Sequence, residues 1–232
     1  MLPKNILLTG HSYGIGKELA ILLANDGHTI IGLSRSKPDY AHKNIKSFTC
    51  DLTQIDDLIS TIITVSKEFK QLDALINNAA ALKNSPLPLL SHKDIDDMIQ
   101  LNFSAVMHLT REVFSLMLRK RSGRIINVVS MASQLNVPGD SVYAATKAGI
   151  ETFSKIINKE GHRYNITSNC IGVSAVETGM LADIISKTPD QLKEIIPHRA
   201  FADIDSIYNL INLYLDEKSH DIGGQNIFLG GV

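Results

Sequence analysis

Apolar positions follow two alternating rhythms along the chain. Short runs at Asn5 to Thr9, His28 to Leu33, Ile45 to Cys50, Asp73 to Asn77, Ile125 to Val129, Ile166 to Ile171 and Gln225 to Leu229 are too short for helices. Several are rich in β-branched residues, as expected of strands buried on both faces. Between them a period near 3.6 predicts helices ending at about Asn25, at about Phe69 and at about Arg121, and others over Ser141 to Glu160 and Ile204 to Leu215. Thr53 followed by Asp56 reads as a capping box for the second helix. The third is long, from Asp94 to about Arg121, capped by Ser91, with Ile95, Met98, Ile99, Val106, Leu109, Val113 and Leu116 on its inner stripe. Strand alternating with helix predicts a single α/β domain, a seven-stranded parallel sheet with helices on both faces. From Gly172 to Phe201 the rhythm fades into short amphipathic pieces, Met180 to Ile185 and Gln191 to Ile196, broken by Pro189 and Pro197. These predict a small cover over a site, at about 173–202.

Composition narrows the partners. A chain of 232 residues suits one sizeable domain, and a net charge of −1 lacks the basic excess that nucleic acid or an anionic membrane would require. No apolar run approaches the ~18 residues of a spanning helix, and the start, MLPKNILLTG, lacks the features of a signal peptide. The expectation is a cytoplasmic protein acting on small molecules. Cys50 and Cys170, both in β-like segments, are expected as reduced, buried thiols, and the eight histidines show no metal-ligand spacing.

The glycine-rich turn Gly10 to Gly16 (GHSYGIG) lies between a strand and a helix. Glycines there permit a sharp turn and close backbone approach to a pyrophosphate, which the helix N-terminus attracts. After the second strand come Ser34 and Arg35, where a fold selecting NAD carries an acidic residue for the ribose hydroxyl; an arginine suits a 2′-phosphate and so points to NADP(H). Asp51, followed by Leu52, could accept from an adenine amino group or merely cap a helix. Asn77, Asn78 and Ala79, ending the fourth strand, could line a cofactor or hold strand ends together. Asn102, a polar residue on an apolar stripe, must satisfy a backbone group or belong to a polar site.

The stretch Gly123 to Gly149 carries the chemistry. Ser130 ends a buried strand, and Tyr143 and Lys147 share one helix face a turn apart. A nearby cation is expected to lower the phenol's pKa toward the range useful for acid/base work, while Ser130 binds the same substrate oxygen.

Taken together, Thr9 to Gly16 (TGHSYGIG), Asn77–Asn78–Ala79, Asn102, Ser130 and Tyr143 to Lys147 (YAATK) resemble the short-chain dehydrogenase/reductase family, nearly end to end, and most nearly carbonyl reductases of the 3-oxoacyl-reductase type. The resemblance implies a Rossmann fold with sheet order 3-2-1-4-5-6-7 and hydride transfer between NADP(H) and a carbonyl or secondary alcohol. It implies Tyr143 as general acid/base, Ser130 as carbonyl holder, Lys147 as ribose ligand and source of positive charge, and Asn102 as holder of a relay water. Gly10, Ser12, Tyr13, Gly14, Ile15 and Gly16 would follow the pyrophosphate and ribose, Asp51 and Leu52 the adenine, Asn78 and Ala79 the neighbouring ribose, and Val176 and Thr178 the nicotinamide carboxamide. It further implies a homodimer or homotetramer built on the two long helices. Three departures stand out: Ala80 where the family has glycine, Val173–Ser174 in place of Pro-Gly, and Tyr13 where many NADPH-preferring members are basic. A catalytically silent dinucleotide sensor of the same fold and a sugar-nucleotide epimerase remain as alternatives.

Overall fold

The computed structural model describes residues 2–176 and 193–232. In chain order the main elements are β1 (Asn5–Thr9), α1 (Gly14–Asn25), β2 (Thr29–Ser34), β3 (Ile45–Thr49), α2 (Ile55–Glu68), β4 (Ala74–Asn77), α3 (His92–Ile99), α4 (Ala105–Lys120), β5 (Gly123–Ser130), α5 (Ala132–Leu135), α6 (Ser141–Gly161), β6 (Ile166–Val173), α7 (Ile204–Leu215) and β7 (Asn226–Leu229). The strands form one sheet in the order β3-β2-β1-β4-β5-β6-β7, every neighbouring pair parallel, as the resemblance implied.

Central strands are buried along their whole length because helices cover both faces. On one face Leu19 and Leu23 of α1 and Ile207, Ile211 and Tyr214 of α7 pack on Ile6, Leu8, Ile76 and Ile126. On the other, Leu58 and Ile62 of α2 and Leu109, Val113 and Met117 of α4 pack on Leu7, Ile31, Leu75 and Ile125. The chain order reverses between β1 and β4, whose neighbouring carboxyl ends open a crevice between the connecting loops.

Two local expectations are corrected. The Thr53–Asp56 capping box does not form. Thr53 instead donates its N–H and hydroxyl to Asp51 Oδ1, at 3.0 and 2.8 Å, and Asp57 accepts from the Asp51 N–H at 2.7 Å, so α2 begins at Ile55 without a side-chain cap. The long helix is also not one regular helix. Ser91 and Asp94 do form a reciprocal capping box, but Gln100–Ser104 is a π-helical turn between α3 and α4. The wider turn shifts the phase of the apolar stripe: Met98, Leu109 and Val113 are buried as expected, Ile99 is exposed, and Met117 is buried where Leu116 is only partly so. The two cysteines are free and buried. The predicted cover lies mostly outside the described residues.

The π turn exists where Asn102 is buried. Its side-chain oxygen accepts from the Ala81 N–H at 2.7 Å and its nitrogen donates to the Ala81 carbonyl at 2.8 Å and to Thr146 Oγ1 at 3.4 Å. Replacing it strands both Ala81 groups, at about 1–3 kcal/mol each. Asn102→Ala is therefore expected to lower the urea-unfolding free energy by at least about 2 kcal/mol; an unchanged midpoint and slope would show that the clamp is not needed.

Candidate active site

The carboxyl ends of the strands surround a cavity of about 680 Å³, a size typical of small-molecule sites. Gly10, Ser12, Tyr13, Gly14, Ile15, Ser34, Arg35, Asp51, Leu52, Asn78, Ala79, Ser130, Tyr143, Lys147 and Val176 all line it. Gly16 and Asn102 support the walls from beneath instead, and Thr178 lies outside the described residues.

At one end the turn from β1 to α1 is held by sheet chemistry. Thr9 Oγ1 accepts the N–H groups of Asn78 and Ala79 at 2.9 and 3.0 Å, and Asn78 Nδ2 donates back to the Thr9 carbonyl at 3.0 Å. Asn78 and Ala79 thus do both things the sequence left open: they line the cavity and tie β4 to β1. Asn77 holds core elements together only, donating to Thr110 Oγ1 and Asn127 Oδ1 at 3.1 and 2.8 Å. A Cβ on Gly16 would stand 2.1 Å from the Gly10 carbonyl oxygen, and Gly14 has a φ of +58° that disfavours side chains. Helix α1 therefore begins tight against the turn. Its N-terminus carries no side-chain cap and no acidic residue in the first turn, which leaves N–H groups facing the cavity for an anion.

Beside this turn β2 ends in Ser34, whose hydroxyl donates to the Ser36 carbonyl at 2.8 Å. Arg35 is exposed and takes part in no ion pair among the described residues. The Ser12 and Ser36 hydroxyls lie 3.4 Å apart beside it. Asp51 uses one carboxylate oxygen in the turn before α2, and the Thr53 hydrogen bonds hold its carboxyl below the usual carboxylate range.

At the other end Ser130, Tyr143 and Lys147 converge. Ser130 Oγ accepts from the Ala132 N–H at 3.1 Å, which fixes the rotamer at the strand end. Lys147 is buried, donates to the Val128 carbonyl at 2.9 Å and sits 5.7 Å from the centroid of the Tyr143 ring. Tyr143 is half-buried. Thr146 Oγ1 donates to its carbonyl at 2.7 Å, linking the first turn of α6 to Asn102. The expected lowering of the phenol's pKa is corrected: burial pushes Tyr143 up to about 12, offset in part by the Ser130 hydroxyl, with the Asp140 charge adding to the rise. The same desolvation pulls Lys147 down to about 8, against a small opposing effect of Cys170.

Loop residues that the periodic pattern did not mark complete the wall: Leu82, Asn84, Leu135, Val137, Pro138 and Asp140, with Ile195 and Ile196 opposite. Of these, Ile195 and Ile196 belong to the amphipathic piece Gln191 to Ile196 read as part of the cover, and Asp140 directly precedes the helix that carries Tyr143. Among the described residues no group of acidic, histidine and cysteine side chains could hold a metal ion, and no helix is long and apolar enough to cross a membrane.

Residues 4–189 match the family model described as short chain dehydrogenase. The chain is 30% identical over 238 residues to the 3-oxoacyl-(acyl-carrier-protein) reductase FabG of Staphylococcus epidermidis, with 98% of each chain covered. It is 29% identical over 235 residues to nodulation protein G of a Rhizobium species (strain N33), covering 98% of this chain and 96% of that one. A Phe-to-Trp variant of actinorhodin polyketide ketoreductase, solved with NADPH, shares the fold with a TM-score of 0.90 at 21% identity, covering 99% and 96% of the two chains. The chain is therefore an oxidoreductase of the short-chain dehydrogenase/reductase family.

Proposed function

We propose that the protein is an NADP(H)-dependent oxidoreductase that interconverts a carbonyl compound and a secondary alcohol, with Tyr143 as general acid/base. The observation that carries this reading is the meeting, in one cavity, of Ser130, Tyr143 and Lys147 with an uncapped helix N-terminus and an exposed arginine, Arg35, at the opposite end. The residues fit a dinucleotide: the glycine turn and α1 suit a pyrophosphate, and Arg35 with the Ser12 and Ser36 hydroxyls suits a 2′-phosphate, β2 ending in Ser34 rather than in an acidic residue. Asp51 and Leu52 would border the adenine, Asn78 and Ala79 the adjacent ribose, and Val176 with Thr178 the carboxamide. When bound, the nicotinamide supplies or takes the hydride at the carbonyl carbon.

The protein's part is positioning and proton transfer. Ser130 Oγ donates a hydrogen bond to the substrate oxygen, and the Tyr143 phenol passes its proton to that oxygen as charge develops on it. A phenol held near 12 is fully protonated at neutral pH, so the acid form needed for reduction is always present. The phenolate left behind faces the Lys147 ammonium, whose attraction strengthens in the low-dielectric wall. Asn102 is a positioning residue here: it fixes Ala81 and Thr146, and through Thr146 the first turn of α6.

Tyr143→Phe is expected to reduce kcat by about 10²–10⁴-fold while the dissociation constant for NADPH, read by fluorescence titration, changes by less than about threefold. Retained turnover would remove the acid assignment, and a silent dinucleotide sensor would show no turnover in the wild type. Arg35→Ala is expected to weaken NADPH binding by about tenfold or more while NADH binding barely moves, because only the former loses a charge-assisted contact. Equal losses for both coenzymes would place the arginine's effect elsewhere.

Lys147 also makes a statement about pH. Its ordinary pKa is 10.5 and its folded value about 8, so below pH 8 both states hold the proton and the burial penalty is present in full. Between about 8 and 10.5 only the unfolded chain keeps it, and stability rises with pH by at most about 1.4 kcal/mol per unit. Lys147→Met lacks this contribution. The difference in urea-unfolding free energy, wild type minus variant, is expected to climb from pH 7.5 to 10 in the protein without coenzyme; a flat difference would mean that the ammonium is not desolvated.

A further inference from the structure

The substrate end of the cavity has a charge pattern that the reductase reading does not use. Among the described residues four charged side chains line the cavity. Arg35 and Asp51 sit at the ends of β2 and β3, on the side of the glycine turn, and Lys147 is committed to the Val128 carbonyl beneath the phenol. That leaves Asp140, the residue immediately before α6 and three before Tyr143. Around Ser130 and Tyr143 the remaining wall is largely apolar, formed by Leu82, Leu135, Val137, Pro138, Ile195 and Ile196. Among the described residues no lysine, arginine or histidine other than Lys147 lines this end.

Asp140 is fixed in place. Asn84 Nδ2 donates to its Oδ1 at 2.7 Å, and the Ser85 N–H donates to the Gly139 carbonyl at 3.0 Å, joining the loop after β4 to the loop before α6. One of the two Asn84 Nδ2 hydrogens is thereby committed to Asp140. The Asp140 charge reaches the reacting phenol, since it is one of the groups that raise Tyr143. A carboxylate carried into this space would lose hydration and, away from Lys147, face the fixed Asp140 charge across a largely apolar wall.

We propose that the site takes an uncharged carbonyl compound with an apolar body, and that Asp140 is a specificity residue that turns away carboxylate-bearing ones. The proposal rests on the reductase reading above. Its two ingredients are separable: the apolar wall favours the body of the substrate, and Asp140 acts against a charge near the reacting carbon.

The test compares matched ketones on the full chain with saturating NADPH, following coenzyme absorbance: acetophenone against para-acetylbenzoate, and an alkyl methyl ketone against the keto acid of the same chain length. In the wild type, kcat/KM is expected to favour the neutral member of each pair by about tenfold or more. Asp140→Asn, which can keep the Asn84 hydrogen bond, is expected to narrow that ratio by raising the keto-acid value. Asp140→Glu, which keeps the charge, is expected to preserve it. Wild-type reduction of the keto acids as fast as the neutral ketones, or an unaltered ratio in Asp140→Asn, would overturn the proposal while leaving the reductase reading in place. Absence of turnover with every ketone, with NADPH binding intact, would bring down the reductase reading and this proposal with it.

Discussion

A lysine whose side chain is buried at the edge of an apolar core is costly unless something repays its desolvation. In this protein Lys147 has one fixed partner, the Val128 carbonyl, and one aromatic neighbour, the Tyr143 ring. That is less than an ammonium would have in water, and its depressed pKa expresses the deficit. The surrounding architecture accommodates the charge. β5 and β6 supply a parallel pair long enough for the Val128 carbonyl to face α6, and α6 is long enough to anchor in the core well beyond the lysine. The cavity lies directly against it, so a ligand rather than the fold can supply the missing polar contacts.

The two ends of the cavity are built on different physics. The phosphate end is mostly backbone: glycines that allow close approach, free N–H groups and strand ends tied through the Thr9 hydroxyl, with a single mobile-length side chain, Arg35, adding charge. The reactive end is made of side chains on rigid elements, Ser130 at the tip of β5 and Tyr143 with Lys147 on α6. Between them Asn102 joins the layers: the π turn that carries it brings its amide to Ala81 and Thr146, coupling the loop after β4 to the helix that bears the phenol. The widened turn is thus the price at which a polar side chain is satisfied inside a helix stripe.

Electrostatics at the reactive end runs opposite to simple pair reasoning. Proximity of a cation suggests a softened phenol, yet burial dominates and the phenol is hardened, while the cation is weakened by the same surroundings. Both shifts follow from removing charge from water.

What the sequence determined by itself was everything that repeats or that glycine and the helical period enforce. Strand and helix order, the bounds of α7, the end of α1, the glycine turn, Ser130 at a strand end, and Tyr143 with Lys147 on one helix face all follow from local periodicity and from spacings of one helical turn. Only the tertiary structure decided how polar groups share their hydrogen bonds. Asp51 could accept from an adenine or cap a helix, Asn102 could satisfy a backbone group or belong to a polar site, and Asp140 could be any loop carboxylate until Asn84 arrived from 56 residues away to fix it. The reason is range: periodicity is written within a turn or two of chain, whereas desolvation and the partner of a buried polar atom depend on segments that meet only after the sheet has closed.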